Sequence, residues 1–189
     1  YALVIAVAIF PGYFMSSTDD ILQIGSWEVS NSALYAYAIS AAYLLLAAFS
    51  PLLSGIADYG GRKMRFLRFF TILGATACIS LFFFTGMTES ASRVANNWQL
   101  LLGVGGFMIA TIGFAGGLVF YNSYLPEIAT EDQYDRISAK GFSFGYIGSV
   151  ILLLVNLLVI LKPHYFGIQQ DDFAIRLAFI MVGLWWLGF

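Results

Sequence analysis

Gly141-Phe142-Ser143-Phe144-Gly145-Tyr146-Ile147-Gly148-Ser149-Val150-Ile151-Leu152-Leu153-Leu154-Val155-Asn156-Leu157-Leu158-Val159-Ile160-Leu161 runs for 21 residues without one Asp, Glu, Lys or Arg. A helix needs about 20 apolar residues, at roughly 1.5 Å rise each, to cross a hydrocarbon core of about 30 Å, and this stretch supplies them. A surface helix of a water-soluble protein keeps a polar face. Here apolar side chains fill every face, and charge returns only at the two edges, with Asp135, Arg136 and Lys140 before the run and Lys162 after it. That pattern reads as a membrane span.

The same bracketing by charge, carried outward in both directions, marks six apolar runs at about 1–14, 33–57, 66–87, 98–124, 141–161 and 173–189. The expected fold is therefore an all-α membrane protein with six transmembrane helices in a single unit over 1–189. Composition agrees: 60% of the residues are apolar and 11% charged, against about 25% charged in an ordinary soluble domain. Four prolines exclude a low-complexity chain, and the single cysteine, Cys78, excludes a disulfide scaffold. Nine basic and eleven acidic residues give a net charge of -2, which leaves no basic field for nucleic acid. The first run would reach only about 21 Å before Pro11, Gly12 and polar residues 16–20. The sixth run stops at Trp185-Trp186-Leu187-Gly188-Phe189 without a polar flank. Both are expected to be cut short, the chain being an excerpt of a longer transporter-like protein.

Basic residues resist translocation, so their distribution sets orientation. Arg62, Lys63, Arg65 and Arg68 fall between runs two and three, and Arg136 and Lys140 between runs four and five, which makes six of the nine. The links at 58–68 and 125–140 are accordingly expected on the cytoplasmic side of a plasma or inner membrane. Within the bilayer, helices associate through close backbone approach. Run four offers Gly113 and Gly117 four apart, and run five Gly141 and Gly145 followed by Gly148. Such smooth faces serve static packing or let helices slide.

The link Ser54-Gly55-Ile56-Ala57-Asp58-Tyr59-Gly60-Gly61-Arg62-Lys63 carries the densest chemistry. Asp58 ends an apolar helix, the paired glycines permit a tight turn, and Arg62 and Lys63 open the next element. Opposite charges across such a turn pair with each other or with helix ends, or they simply fix orientation. The stretch resembles the signature loop between the second and third helices of the major facilitator superfamily, written G-x-x-x-D-R-x-G-R-R/K. Asp58, Gly61, Arg62 and Lys63 match in register, whereas Ser54 and Tyr59 replace a glycine and an arginine. A second block, Phe120-Tyr121-Asn122-Ser123-Tyr124-Leu125-Pro126-Glu127-Ile128 followed by Asp135-Arg136-Ile137-Ser138-Ala139-Lys140-Gly141, is similar to the unknown-major-facilitator branch, the kin of fungal autophagy-related vacuolar effluxers.

That resemblance implies a twelve-helix fold of two six-helix halves rocking around a central cavity, with this chain as the N-terminal half. Its partners are then membrane lipid, a small-molecule substrate and the C-terminal six-helix half of the same chain. It implies secondary-active transport of a small solute by alternating access, with amino acids as the leading substrate class. Asp58, Gly61, Arg62, Lys63, Asp135 and Arg136 form the expected gating set, Arg136 pairing with Asp135 or Glu127. Helices one, two, four and five are expected to line the cavity, with three and six bracing from outside. Polar residues at membrane depth are the candidate contacts, because an unpaired polar group in hydrocarbon is costly. They are Tyr43, Tyr121, Asn122, Tyr146 and Asn156, with interhelical hydrogen bonding as the competing reading.

Two other classes remain as alternatives, a lipid-headgroup enzyme of the membrane and a non-transporting scaffold. The first needs several carboxylates around a divalent metal, and the third run carries none after Arg68. No catalytic residue, metal site or cofactor is expected. No carboxylate, histidine or lysine stands in the middle of a complete apolar run, so this half shows no proton relay, and His164 beside Lys162 and Pro163 reads as a surface residue.

Overall fold

A computed structural model describes residues 2–24, 26–59, 62–87 and 93–188. Their elements follow in the order α1 (Ala2–Ser16), β1 (Ile21–Ile24), β2 (Trp27–Ser30), α2 (Asn31–Tyr59), α3 (Lys63–Ser80), α4 (Arg93–Ser123), α5 (Leu125–Ile128), α6 (Tyr134–Leu161) and α7 (Asp171–Gly188). Single 3₁₀ turns occupy Leu81–Phe83, Glu131–Gln133 and Pro163–Phe166. The chain is a helical membrane protein. Four stretches, Asn31–Ile56, Lys63–Phe83, Ala95–Ile128 and Glu131–Leu161, are long and apolar enough to cross a bilayer. Between them α1 and α7, 15 and 18 residues long, pack into the same bundle.

Several boundaries differ from the sequence expectation, four of them for a local reason. Pro11 does not close the first helix, which runs through it to Ser16, because neighbouring helices compensate the one backbone bond that proline removes. The third helix ends at Ser80, one 3₁₀ turn carrying it to Phe83, rather than at 87. There Tyr13 Oη donates to the Phe84 carbonyl at 3.2 Å, the Met87 N–H donates to the Ser17 carbonyl at 2.8 Å, and Gly86 sits at φ 80°. Only glycine takes that backbone angle without strain, and an added Cβ would also strike Ser17. The fourth helix starts at Arg93 instead of 98. The fifth begins at Tyr134 instead of 141, its charged first turns being helical with Asp135 at the positive end of the dipole. The segment 125–140 is therefore α5, one 3₁₀ turn and the start of α6 rather than an open loop.

A two-stranded hairpin joins α1 to α2 where only a polar link was expected. Ile21 pairs with Ser30, Leu22 with Val29, Gln23 with Glu28 and Ile24 with Trp27. Leu22 is buried against Phe10, Phe14 and Phe84, so the hairpin is stitched into the end of the bundle.

Three layers of core follow one another along the bundle. At the hairpin end Phe10, Phe14, Phe84, Phe107 and Phe179 interlock, with Phe10 stacked on Phe107 at 4.7 Å between ring centres. Small residues fill the middle, where Ala77, Cys78, Ala110, Leu152 and Val182 meet. At the other end Phe66 and Phe70 stack on Phe120 at 5.2 and 5.8 Å. The tightest pairing is α3 against α4, which touch backbone to backbone at Gly74 and Gly113.

Arg176 explains how a cation sits beside this core. Its Nε donates to the Phe82 carbonyl at 2.6 Å and its guanidinium lies 4.8 Å from the Phe82 ring centre. It thus satisfies a carbonyl left over at the negative end of the third helix. A charged hydrogen bond and a cation–π contact at a half-buried site predict that Arg176→Met lowers stability by about 1–3 kcal/mol. Thermal unfolding of the full-length protein measures this, with Arg176→Lys recovering part of the loss; an unchanged midpoint would refute the capping role.

Candidate functional site

Charged residues gather where α2 ends, α3 begins, α4 ends and α6 begins. Lys63, the first residue of α3, points its ammonium at the last residue of α4. Nζ donates to the Ser123 carbonyl at 3.0 Å and lies 2.7 Å from Glu127 Oε1 in α5. The physical logic is that of a helix C-terminus. The final carbonyls of a helix lack i+4 N–H partners and carry partial negative charge, so a cation is favoured there. Glu127 completes the charge balance. The Lys63 side chain is 16% exposed and that of Glu127 50%, so water screens the pair and its contribution is roughly 0–1 kcal/mol. The consequence is mechanical: one side chain ties the 58–68 link to the 125–140 segment at the same end of the bundle.

Asp58 falls in the last turn of α2. Its side chain, like the whole of Gly61, lies outside the described residues. Arg62 is exposed immediately before α3, and Asp135 and Arg136 are exposed in the first turn of α6. The expected partnership of Arg136 with Glu127 is replaced by the Lys63–Glu127 pair. Arg136 instead borders a shallow groove along α6 with Lys140 and Phe144.

Toward the membrane centre from this charged end, a cavity of about 420 Å³ opens between α3, α4, α6 and α7. Tyr121 of α4, Tyr146 of α6, Phe114, Trp185 and Trp186 are among its lining side chains. Its described lining holds no ionisable Asp, Glu, Lys, Arg or His side chain. The glycines of α4 and α6 form the walls. At Gly141 an added Cβ would stand 2.7 Å from Tyr121 Oη, so this glycine gives the tyrosine hydroxyl its room. The third and sixth apolar runs also border this cavity, through Leu67, Thr71, Trp185 and Trp186.

Of the five candidate contacts, Tyr121 and Tyr146 come together at this cavity. Asn122 is exposed next to it on α4, while Tyr43 is exposed on α2 away from it. Asn156 lies farther along α6, beyond the cavity-lining Gly145 and Gly148 and between Leu152 and Val159, and is fully buried. Neither its Nδ2 nor its Oδ1 has a hydrogen-bond partner. The hydroxyls at membrane depth behave differently. Thr111 bonds the Phe107 carbonyl at 2.9 Å and Ser149 the Gly145 carbonyl at 2.8 Å, each within its own helix.

Trp185 and Trp186 were legible only as the end of an apolar run. The Trp186 ring packs on Gly74 of α3, and a single helix does not say which neighbour it meets. The tie from Lys63 to Ser123 had no sequence signal, since a backbone carbonyl is offered by every residue. Among the described residues no group of three or more His, Cys, Asp or Glu side chains converges as a metal site.

Residues 14–189 match the family described as Vacuole effluxer Atg22 like. The chain is 31% identical over 187 residues to the uncharacterized MFS-type transporter YxiO of Bacillus subtilis (strain 168), covering 98% of this chain and 40% of that protein. It is 30% identical over 179 residues to autophagy-related protein 22 of Kluyveromyces lactis, covering 86% of this chain and 32% of that one. It therefore spans well under half the length of these curated relatives. No solved structure matches the chain. With its apolar helices, its charged end and all but the first thirteen residues inside the match, the chain belongs to the Atg22-like vacuole effluxer family of major facilitator transporters.

Proposed function

We propose that these residues form the first six-helix half of a secondary-active transporter, which moves a small solute, amino acids foremost, by alternating access between two rocking halves. In this reading α1 and α7 complete the six spans. The end bearing Lys63 faces the cytoplasm of a plasma or inner membrane, in line with the cluster of basic residues there. The observation that carries the proposal is the bond from Lys63 to Ser123 and Glu127. A rocking half needs its cytoplasmic links to move as one plate, and this side chain joins them across the ends of α3 and α4. Asp58, Arg62 and Arg136 are then presented together to the second half, making contacts in the outward-open state that break in the inward-open one. Tyr121 and Tyr146, with Asn122 beside them, supply hydroxyl and amide groups for the solute.

Full-length protein in sealed vesicles, offered a panel of labelled amino acids, tests this reading. Transport of at least one is expected, and Lys63→Met should change the rate about five-fold, the population shift that roughly 1 kcal/mol produces. Lys63→Arg should retain the rate. Transport of no amino acid would overturn the substrate class, and an unaltered rate in Lys63→Met with normal insertion would overturn the plate. Kinship with the vacuolar effluxers supports the amino-acid class; the uncharged cavity favours a solute whose bulk is neutral over a polyanion.

A further inference from the structure

The hairpin between α1 and α2 has two chemically different faces. Strand side chains alternate with a period of two, so the register places Leu22, Ile24, Trp27 and Val29 on one face and Ile21, Gln23, Glu28 and Ser30 on the other. The second face is tied to the bundle by one polar contact and braced within the hairpin by another. Arg93 Nη2 donates to Gln23 Oε1 at 3.3 Å, and Gln23 Nε2 donates to Glu28 Oε1 at 3.4 Å. The first face starts inside the bundle and ends outside it: Leu22 is 1% exposed, whereas Ile24 and Trp27 at the tip are 43% and 75% exposed. A two-residue apolar pair held out at a hairpin tip in water is a liability.

Its surroundings say what covers it. The same end of the bundle carries Phe83 after α3, Trp98 in the second turn of α4, and Tyr165 and Phe166 after α6, all exposed. Two bonds tie these positions to one level. The Thr85 N–H donates to Gln99 Oε1 at 2.9 Å, setting Trp98 beside the end of the third helix, and Arg176 holds α7 to Phe82 at that same end. Exposed tryptophan and tyrosine gathered where apolar spans terminate form the belt that sits at lipid headgroup level. The indole of tryptophan suits that zone because its ring is apolar and its N–H finds water or phosphate.

We infer that the β1–β2 hairpin is an interfacial anchor, its Ile24 and Trp27 side chains lying in the headgroup and upper acyl layer of the leaflet opposite the Lys63 end. The inference rests on the embedding of the helices in a bilayer and is independent of what the protein transports. The anchor pins the end of α1 and the start of α2 to the membrane plane through Leu22 and Asn31, whose Nδ2 donates to the Met15 carbonyl at 3.4 Å. A bundle that tilts would then do so about a fixed edge.

The test places an environment-sensitive fluorophore on Ile24→Cys in the full-length protein, reconstituted in phosphatidylcholine vesicles. Cys78 is fully buried and stays unlabelled, and cysteines beyond residue 189 are replaced by serine. Headgroup-level nitroxide lipid should quench the probe several-fold more than nitroxide at the acyl terminus, and aqueous iodide should quench it weakly. The same probe on Gln23→Cys should respond in the reverse order, to iodide first. As a check free of the label, the emission lost in Trp27→Phe should be blue-shifted and quenched by brominated lipid. Equal iodide access to both positions, strongest quenching by the deep nitroxide, or protection of Ile24→Cys from iodide and both lipids alike would each overturn the anchor, the last by assigning the tip to protein contact.

Discussion

Gly113→Val is expected to unfold the α3–α4 pair, lowering the stability of the full-length protein by about 3 kcal/mol or more. A Cβ at Gly113 would stand 2.5 Å from the Gly74 Cα, 2.6 Å from its backbone nitrogen and 2.9 Å from the Phe70 carbonyl oxygen. All three obstacles are backbone, so no rotamer change relieves them and the helices themselves must separate. Separation propagates, because Gly74 also receives the Trp186 ring of α7, and Gly116 receives the Phe70 ring. The control is Gly105→Ala, whose Cβ meets nothing nearer than Leu101 at 4.0 Å. That change should be neutral or gain up to about 1 kcal/mol from helix propensity. Thermal midpoints in detergent, together with the monodisperse fraction by size exclusion, separate the two outcomes. A Gly113→Val protein as heat-resistant as the parent would mean that the two backbones do not meet as described.

Asn156→Leu should move stability the other way. The amide is fully buried and both its polar atoms lack partners, so the fold carries an unmet desolvation cost of roughly 1–3 kcal/mol. Leucine has nearly the same volume and continues the stripe of Leu152 and Val159. A rise in the unfolding midpoint is expected, in contrast to the usual loss on changing a buried residue. The contrast variant, Asn156→Ala, removes the amide but leaves a cavity, and should regain less. A clear fall in the leucine variant would show that the amide is bonded in the dominant state.

The charged end illustrates how far a chain can be read before it is folded. Arg62 and Lys63 announce themselves as neighbours following a glycine pair, and the match to a family loop gives them a common label. The fold separates them. Arg62 is exposed, while Lys63 is drawn across to the last carbonyl of α4 and to Glu127. Polar residues at membrane depth divide in the same way, with Tyr121 and Tyr146 brought to one cavity and Asn156 sealed in the bundle. The hairpin carried a local signal, a Gly25-Ser26 pair between two short apolar-bearing segments.

Sequence alone determined that the chain is helical and membrane-embedded, which end gathers the basic residues, and where the small residues for close packing lie. Those are one-dimensional properties: in hydrocarbon each helix must satisfy its own backbone bonds, so apolar length is sufficient to specify a span. Only the tertiary structure decided which glycine meets which backbone, which helices border the cavity, which carbonyl Lys63 caps and whether Asn156 has a partner. Those depend on the rotation and height of one helix against another. An apolar helix surrounded by equally apolar lipid and neighbours carries no polar face to announce that rotation, so it is fixed by steric fit between residues far apart in the chain.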